Sequence, residues 1–236
     1  MSDHDALGAL LDADRWIERV SFQRNHLAEA DELEAVESVL RAEAAALRDA
    51  QAAAAPARVA YEEASERADR LQRRRRELET ALAVSTASSR DLTAMQHELA
   101  SVIVQSERDD EVALGMLVEV EERDAAIEAL REVARANAAR RESLRVTVDE
   151  LRATLDDEIA VLRATRATHA SAVSGPLLDR YERARARAGT SGASRVVEGR
   201  CDGCRIALAP LDADRVRALA DDEFMECPSC GRLLLR

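Results

Sequence analysis

Four cysteines fall in the last 36 residues of the chain, as Cys201-Asp202-Gly203-Cys204 and Cys227-Pro228-Ser229-Cys230. The pattern is C-x2-C, a gap of 22 residues, then C-x2-C. Two thiolates three positions apart on a tight turn can point at one cation at a Zn–S distance of about 2.3 Å. Two such turns complete a tetrahedral shell. Gly203 and Gly231 stand where each knuckle needs a small residue or a positive φ. Because all four positions are cysteine, no place is left for water, so the predicted metal is structural and not catalytic. The expectation is one Zn2+ per chain, held by Cys201, Cys204, Cys227 and Cys230. A redox dithiol can share the spacing but wants a thioredoxin-type βαβ context, which is missing. An iron–sulfur cluster can use four cysteines, but paired knuckles favour tetrahedral zinc. His4, His26, His97 and His169 lie outside the cysteine module and are not assigned as ligands.

The elements that carry this module are legible from composition. The chain has 236 residues, 34% of them charged but only 2% aromatic, with 8 Gly and 4 Pro. About a fifth of it is Ala. That is the balance of long helices rather than of a wide globular core. Apolar residues follow 3-4 spacing at Leu33, Val36, Leu40, Ala44 and Leu47, and again at Ala64, Ala68, Leu71, Leu78 and Leu82. A second run reads Leu92, Met95, Leu99, Val102, then Ile127, Leu130, then Leu144, Val148, Leu151, Leu155, Ile159, Leu162. These are heptad-like stripes. The first helix is expected from Leu7 to about Ala83, kinked or broken at Pro56, which lacks an N–H. Polar, small residues at 84–90 predict a tight turn, so the two runs lie antiparallel. Each is ~75–80 residues long, a rod of ~115–120 Å. Arg24, Asp109, Asn137 and Arg141, near the seam, are read as register-setting or solvated.

The expected class is mainly α: a long antiparallel two-helix coiled-coil hairpin with a small C-terminal four-cysteine zinc ribbon. The boundaries are 1–173 for the hairpin, 174–194 for a short helix and linker, and 195–236 for the ribbon. Val196-Val197, Arg205 to Leu208, and Leu233 to Leu235 read as β-type pieces, and Leu211 to Ala220 as a short helix between the knuckles.

Net charge is −12, which disfavours nucleic acid over most of the surface. Every basic residue is Arg, so Schiff-base and P-loop lysine chemistry is excluded. Walker, Rossmann, H-E-x-x-H and nucleophile-elbow patterns are missing, and no enzyme is expected. No apolar run approaches the ~20 residues of a membrane span, and no signal peptide is visible, so a cytoplasmic protein is expected. One basic cluster reverses the sign of the chain: Arg180, Arg183, Arg185, Arg187, Arg195, Arg200 and Arg205, a candidate nucleic-acid neck. Arg73 to Arg76 is a second run.

The sequence resembles the bacterial proteins in which a long coiled-coil hairpin precedes a four-cysteine zinc ribbon, related to a flagellar regulator of epsilonproteobacteria. The specific match is Gly199-Arg200-Cys201-Asp202-Gly203-Cys204, Leu208, Pro210, and Cys227-Pro228-Ser229-Cys230-Gly231-Arg232-Leu233-Leu234. Weaker matches are Arg90-Asp91-Leu92 through Leu99 and Tyr181-Glu182-Arg183. The resemblance implies a non-enzymatic protein; flagellar members bind an alternative sigma factor and flagellin messenger RNA. What is carried over is the scaffold and the zinc ligands. Two functions are therefore expected: a scaffold for an unidentified protein partner, or RNA or DNA binding through the ribbon and its Arg-rich neck.

Overall fold

Asp3 to Asn25 form α1, and its start is written in the sequence. Ser2 caps it: the Ser2 hydroxyl accepts from the Asp5 N–H, and the Asp5 carboxylate accepts from the Ser2 N–H. The structure is a computed structural model that describes residues 2–86, 88–220 and 223–236. Two long helices follow, α2 (Ala28–Val84) and α3 (Ser89–Ser171), then α4 (Gly175–Ala188) and a small region of four short strands and one helix. The chain divides into two units: Leu33–Ser143, and Met1–Glu32 together with Leu144–Arg236.

In the Leu33–Ser143 unit, α2 and α3 pair antiparallel. Polar bridges show the register: Asn137 Nδ2 donates to Glu43 Oε1 (2.6 Å), Arg58 pairs with Asp124, Gln72 donates to Asp110, and Arg74 pairs with Glu98. One partner's number falls as the other's rises. Val36, Ala54, Ala57, Ala64, Ala68 and Leu78 are buried on α2, facing a seam that includes Val102, Ala113 and Ile127 on α3. Alanine at so many seam positions lets the backbones approach. Asn137, read as register-setting or solvated, crosses the seam.

Two expectations about the first helical run need correction. Its break lies at His26–Leu27, not at Pro56. His26 adopts a non-helical φ of −131° and its N–H bonds Gln23 O, which ends α1; Glu29 and Asp31 then favour a fresh N-terminus. Pro56 sits inside an unbroken α2. A proline at position 56 leaves the Ala52 carbonyl without its helical donor and crowds that turn. In the same turn Arg123 Nη1, on α3, donates to the adjacent Ala53 O (3.0 Å) from across the seam. The helix ends at 84 and 89 match the expected turn, of which Ala87 lies outside the described residues.

In the other unit, β1 (Ala193–Val197), β2 (Arg200–Cys201), β3 (Met225–Glu226) and β4 (Leu233–Leu235) form a sheet in the order β2-β1-β4-β3, with β1 and β4 parallel. α5 (Pro210–Ala218) fills the gap between the knuckles. The expected β piece at 205–208 is not a strand; it makes one bridge, Ala207 with Arg200. Arg205 has φ +60°, which turns the chain where a strand would continue. Along β4 the side chains alternate in the period of two. Leu233 and Leu235 pack with Leu7, Leu10, Leu11, Leu177 and Tyr181; Leu234 packs on the other face with Cys201, Cys227, Leu208 and Val216. One three-residue strand thus joins a helical core to the cysteine core.

Candidate metal centre

The first knuckle starts at the end of β2 and the second follows β3, the two edge strands; the first folds back over β1, where Asp202 N–H bonds Arg195 O (3.0 Å), to meet the second. In the first, Arg205 N–H bonds Cys201 O (2.7 Å); in the second, Gly231 N–H bonds Cys227 O (2.8 Å), with Gly231 at φ +72°. Gly203 has no room for a side chain: a Cβ there would stand 2.8 Å from Arg232 Cδ and 3.1 Å from Ser194 Oγ. Its N–H donates to Ser194 Oγ (2.6 Å). The glycines expected at the knuckles are therefore required, each for a different reason.

The four sulfurs lie within 4.8 Å of one another, with Cys201–Cys230 at 3.8 Å and Cys204–Cys227 at 3.9 Å. Sulfurs on a tetrahedron of Zn–S length about 2.3 Å stand about 3.8 Å apart. The donor set thus fits zinc, and the spacing is far too wide for disulfides. Burial pushes the Cys227 thiol up to about 12 and raises that of Cys204. Burial acts upward on Cys230 too, but hydrogen bonding from the Arg232 backbone and side chain outweighs it and brings the thiol down to about 7. A bound cation is what would hold all four as thiolates.

The sequence of residues 10–189 matches the profile of the CT398-like coiled coil hairpin domain, and residues 200–234 match the C4-type zinc ribbon domain. The chain belongs to the CT398-like coiled-coil hairpin family. An uncharacterised protein of Mycobacterium tuberculosis, found in two strains, is 31% identical over 172 residues, which cover 70% of this chain and 67% of that protein. Three solved structures share the fold. One from Mycobacterium smegmatis has a TM-score of 0.83 over 100% of both chains at 22% identity. CT398 from Chlamydia trachomatis scores 0.62 at 16% identity, covering 99% of this chain and 98% of its own. HP0958 from Helicobacter pylori scores 0.55 at 14% identity, covering 100% of this chain and 98% of its own. In this CT398-like chain the hairpin and the four-cysteine ribbon are the two family parts.

The expected neck arginines separate into two groups. Arg195 is bidentate to Asp12 of α1, both bonds 2.7 Å. Arg180 donates to Phe224 O (3.2 Å) and pairs with Glu226 at 3.7 Å; Arg187 lies 3.8 Å from Glu226. Arg185 pairs with Asp14 and Glu182. These four hold the unit together. Arg183, Arg200 and Arg205 are exposed and form no ion pair among the described residues.

A charged cluster built on a buried carboxylate was not visible in the sequence. Asp14, its side chain 1% exposed, accepts from Tyr181 OH (2.5 Å) and from Arg166 Nε (2.6 Å), with Arg185 Nε at 3.4 Å. Arg166 also donates to Glu182 Oε1 (2.6 Å). Burial and the Asp14 hydrogen bond raise the Tyr181 phenol well above its ordinary value, so it stays a donor. Burial opposes the Arg166 charge, but bonds to Asp14 and Glu182 outweigh it and raise its pKa. One carboxylate thus ties α1 to α3 and α4. Nearby, Arg15 Nη2 donates to Asp202 Oδ2 (2.6 Å), so α1 also grips the first knuckle.

Proposed function

We propose that the protein is a non-enzymatic adaptor whose ribbon is shaped by one structural zinc on Cys201, Cys204, Cys227 and Cys230, and whose α1 face docks a protein partner. The observation that carries this reading is the outer face of α1. Trp16 is 50% exposed and Phe22 62% exposed, in a chain with only five aromatic side chains. The Arg19 guanidinium lies over the Trp16 ring at 4.7 Å, and Phe22 stacks on His26 with centroids 4.0 Å apart. The opposite face buries Leu7, Leu10, Leu11 and Asp14, so α1 cannot turn its aromatics inward. Trp and Arg dominate the energetic centres of protein interfaces. Arg19 forms no ion pair among the described residues, so an acidic segment carrying an apolar side chain is the partner chemistry that fits. No helix among the described residues is long and apolar enough to cross a membrane; the setting proposed for this docking is the cytoplasm.

The test is crosslinking capture with the zinc-loaded full chain, read by mass spectrometry for protein and by sequencing for RNA. Trp16→Ala with Phe22→Ala should remove the specific protein partner, whereas Val161→Ala, an exposed residue on α3, should retain it. A capture profile unchanged by the double substitution overturns the docking face.

A second reading is RNA or DNA binding, supported by exposed, unpaired Arg183, Arg200 and Arg205. Replacing these three by Ala should then lower the salt slope of binding by up to about three phosphate contacts. A parent that binds no nucleic acid at about 50 mM salt removes this reading.

A further inference from the structure

Arg232 is only 8% exposed. Its Nε donates to Ser191 O (3.1 Å) and its Nη2 to Thr190 Oγ1 (3.0 Å). Both acceptors are neutral, and no carboxylate pairs with it among the described residues. A buried guanidinium without a counter-charge is costly. Arg232 is also two residues past Cys230, and its stem crosses the first knuckle, with Cδ where a Gly203 Cβ would stand. Its own carbonyl accepts from the Cys227 N–H (2.8 Å). Arg232 therefore touches the first knuckle through its stem, the second through its backbone carbonyl, and, through its guanidinium, the segment that leads from α4 into β1.

A divalent ion on four thiolates leaves the centre with a net double negative charge, in surroundings where Cys201 and Cys227 are buried. We infer that Arg232 is the positioning counter-ion of the metal-thiolate centre: the missing partner of its charge is the loaded cluster itself. The inference rests on the zinc assignment above and adds a role for a residue that is not a ligand. The guanidinium offsets the thiolate charge, while its bonds to Thr190 and Ser191 connect the state of the centre to the α4–β1 junction.

The experiment compares the full chain with Arg232→Met, which keeps the apolar stem and removes the charge, and Arg232→Lys, which keeps the charge and loses the fork. Zinc affinity is measured by competition with a chromophoric chelator, and Co2+ is substituted to read the thiolate-to-metal charge-transfer band. Loss of a partner around a metal centre costs 10–100-fold in affinity. Arg232→Met should fall in that range, with its Co2+ band moved to lower energy because the sulfurs are more electron-rich. Arg232→Lys should stay within about threefold of the parent, with an unmoved band. If Arg232→Met binds zinc as tightly as the parent, or if Arg232→Lys is as weak as Arg232→Met, the charge has no such role and the inference is overturned. If Arg232→Met fails to fold, Arg232→Lys alone decides: zinc affinity within about threefold of the parent supports the inference, and a loss of about tenfold or more overturns it. A parent chain that binds neither metal overturns the zinc assignment instead, a result distinct from loss in the variants alone.

Discussion

Removing the Asp14 carboxylate should loosen the unit that carries the ribbon more than any other single polar change. In Asp14→Ala, the Tyr181 hydroxyl is left buried without its acceptor, and Arg166, 17% exposed, loses one of its two carboxylates. Removing one partner of a buried ion pair costs about 3–5 kcal/mol. Tyr181→Phe deletes only the hydroxyl; a hydrogen bond to a charged group contributes about 1.5–3 kcal/mol. The two changes share one bond, so they should not add: the double variant should fall short of the sum by about 0.5–3 kcal/mol. Urea unfolding followed by Trp16 emission is the assay, since Trp16 is the single tryptophan and lies two residues from Asp14 on the same helix. Asp14→Ala within about 0.5 kcal/mol of the parent, the range of ordinary surface substitutions, would refute the reasoning.

Four further outcomes are expected. Chelation, or any one Cys→Ser change, should raise amide exchange on the cysteine face of the sheet, in α5 and around Leu234, before it reaches Leu233 and Leu235, whose core is shared with α1; uniform loss across both cores would contradict this. Hydrogen bonds from Arg195 and Arg24 hold Asp12 and Asp156 below the ordinary 3.8, so their contribution is present above that pH and lost as pH falls through the depressed folded values. Thermal midpoints should therefore stay flat from neutrality to about pH 4 and drop below it, less steeply in Asp12→Asn. Gly192→Ala should sharply lower folded yield, because a Cβ would stand 2.1 Å from Tyr181 O. Gly8→Ala, with open space around it inside α1, should instead stabilise by about 0.5–1 kcal/mol in the same urea assay.

The hairpin and the cysteine site were legible because each is a local pattern. Heptad spacing reports a helix seam residue by residue, and two C-x2-C turns carry their geometry in four positions. What stayed hidden depends on partners distant in sequence. Nothing near Asp14 says that Tyr181 and Arg166 will reach it, since the bond to Tyr181 spans 167 positions. The neck arginines read as one basic patch because their carboxylate partners, such as Asp12 for Arg195, lie on α1. Pro56 suggested a break because the donor that braces its turn from across the seam, Arg123 on Ala53 O, is 70 residues from that acceptor in the chain. Residues 189–194, read as a linker or loop, are irregular up to the start of β1 and pack tightly: Gly192 O accepts from Leu233 N–H (2.9 Å), and Ser191 to Ser194 are buried. A Gly/Ser-rich stretch signals backbone freedom, and here that freedom serves close packing against Tyr181.

The most direct test is native mass spectrometry of the full chain, purified without chelators, beside the four single Cys→Ser variants. One zinc per chain is predicted for the parent, with weakened or absent zinc in every variant. A parent mass without zinc, or with the mass and visible absorbance of an iron–sulfur cluster, would contradict the account.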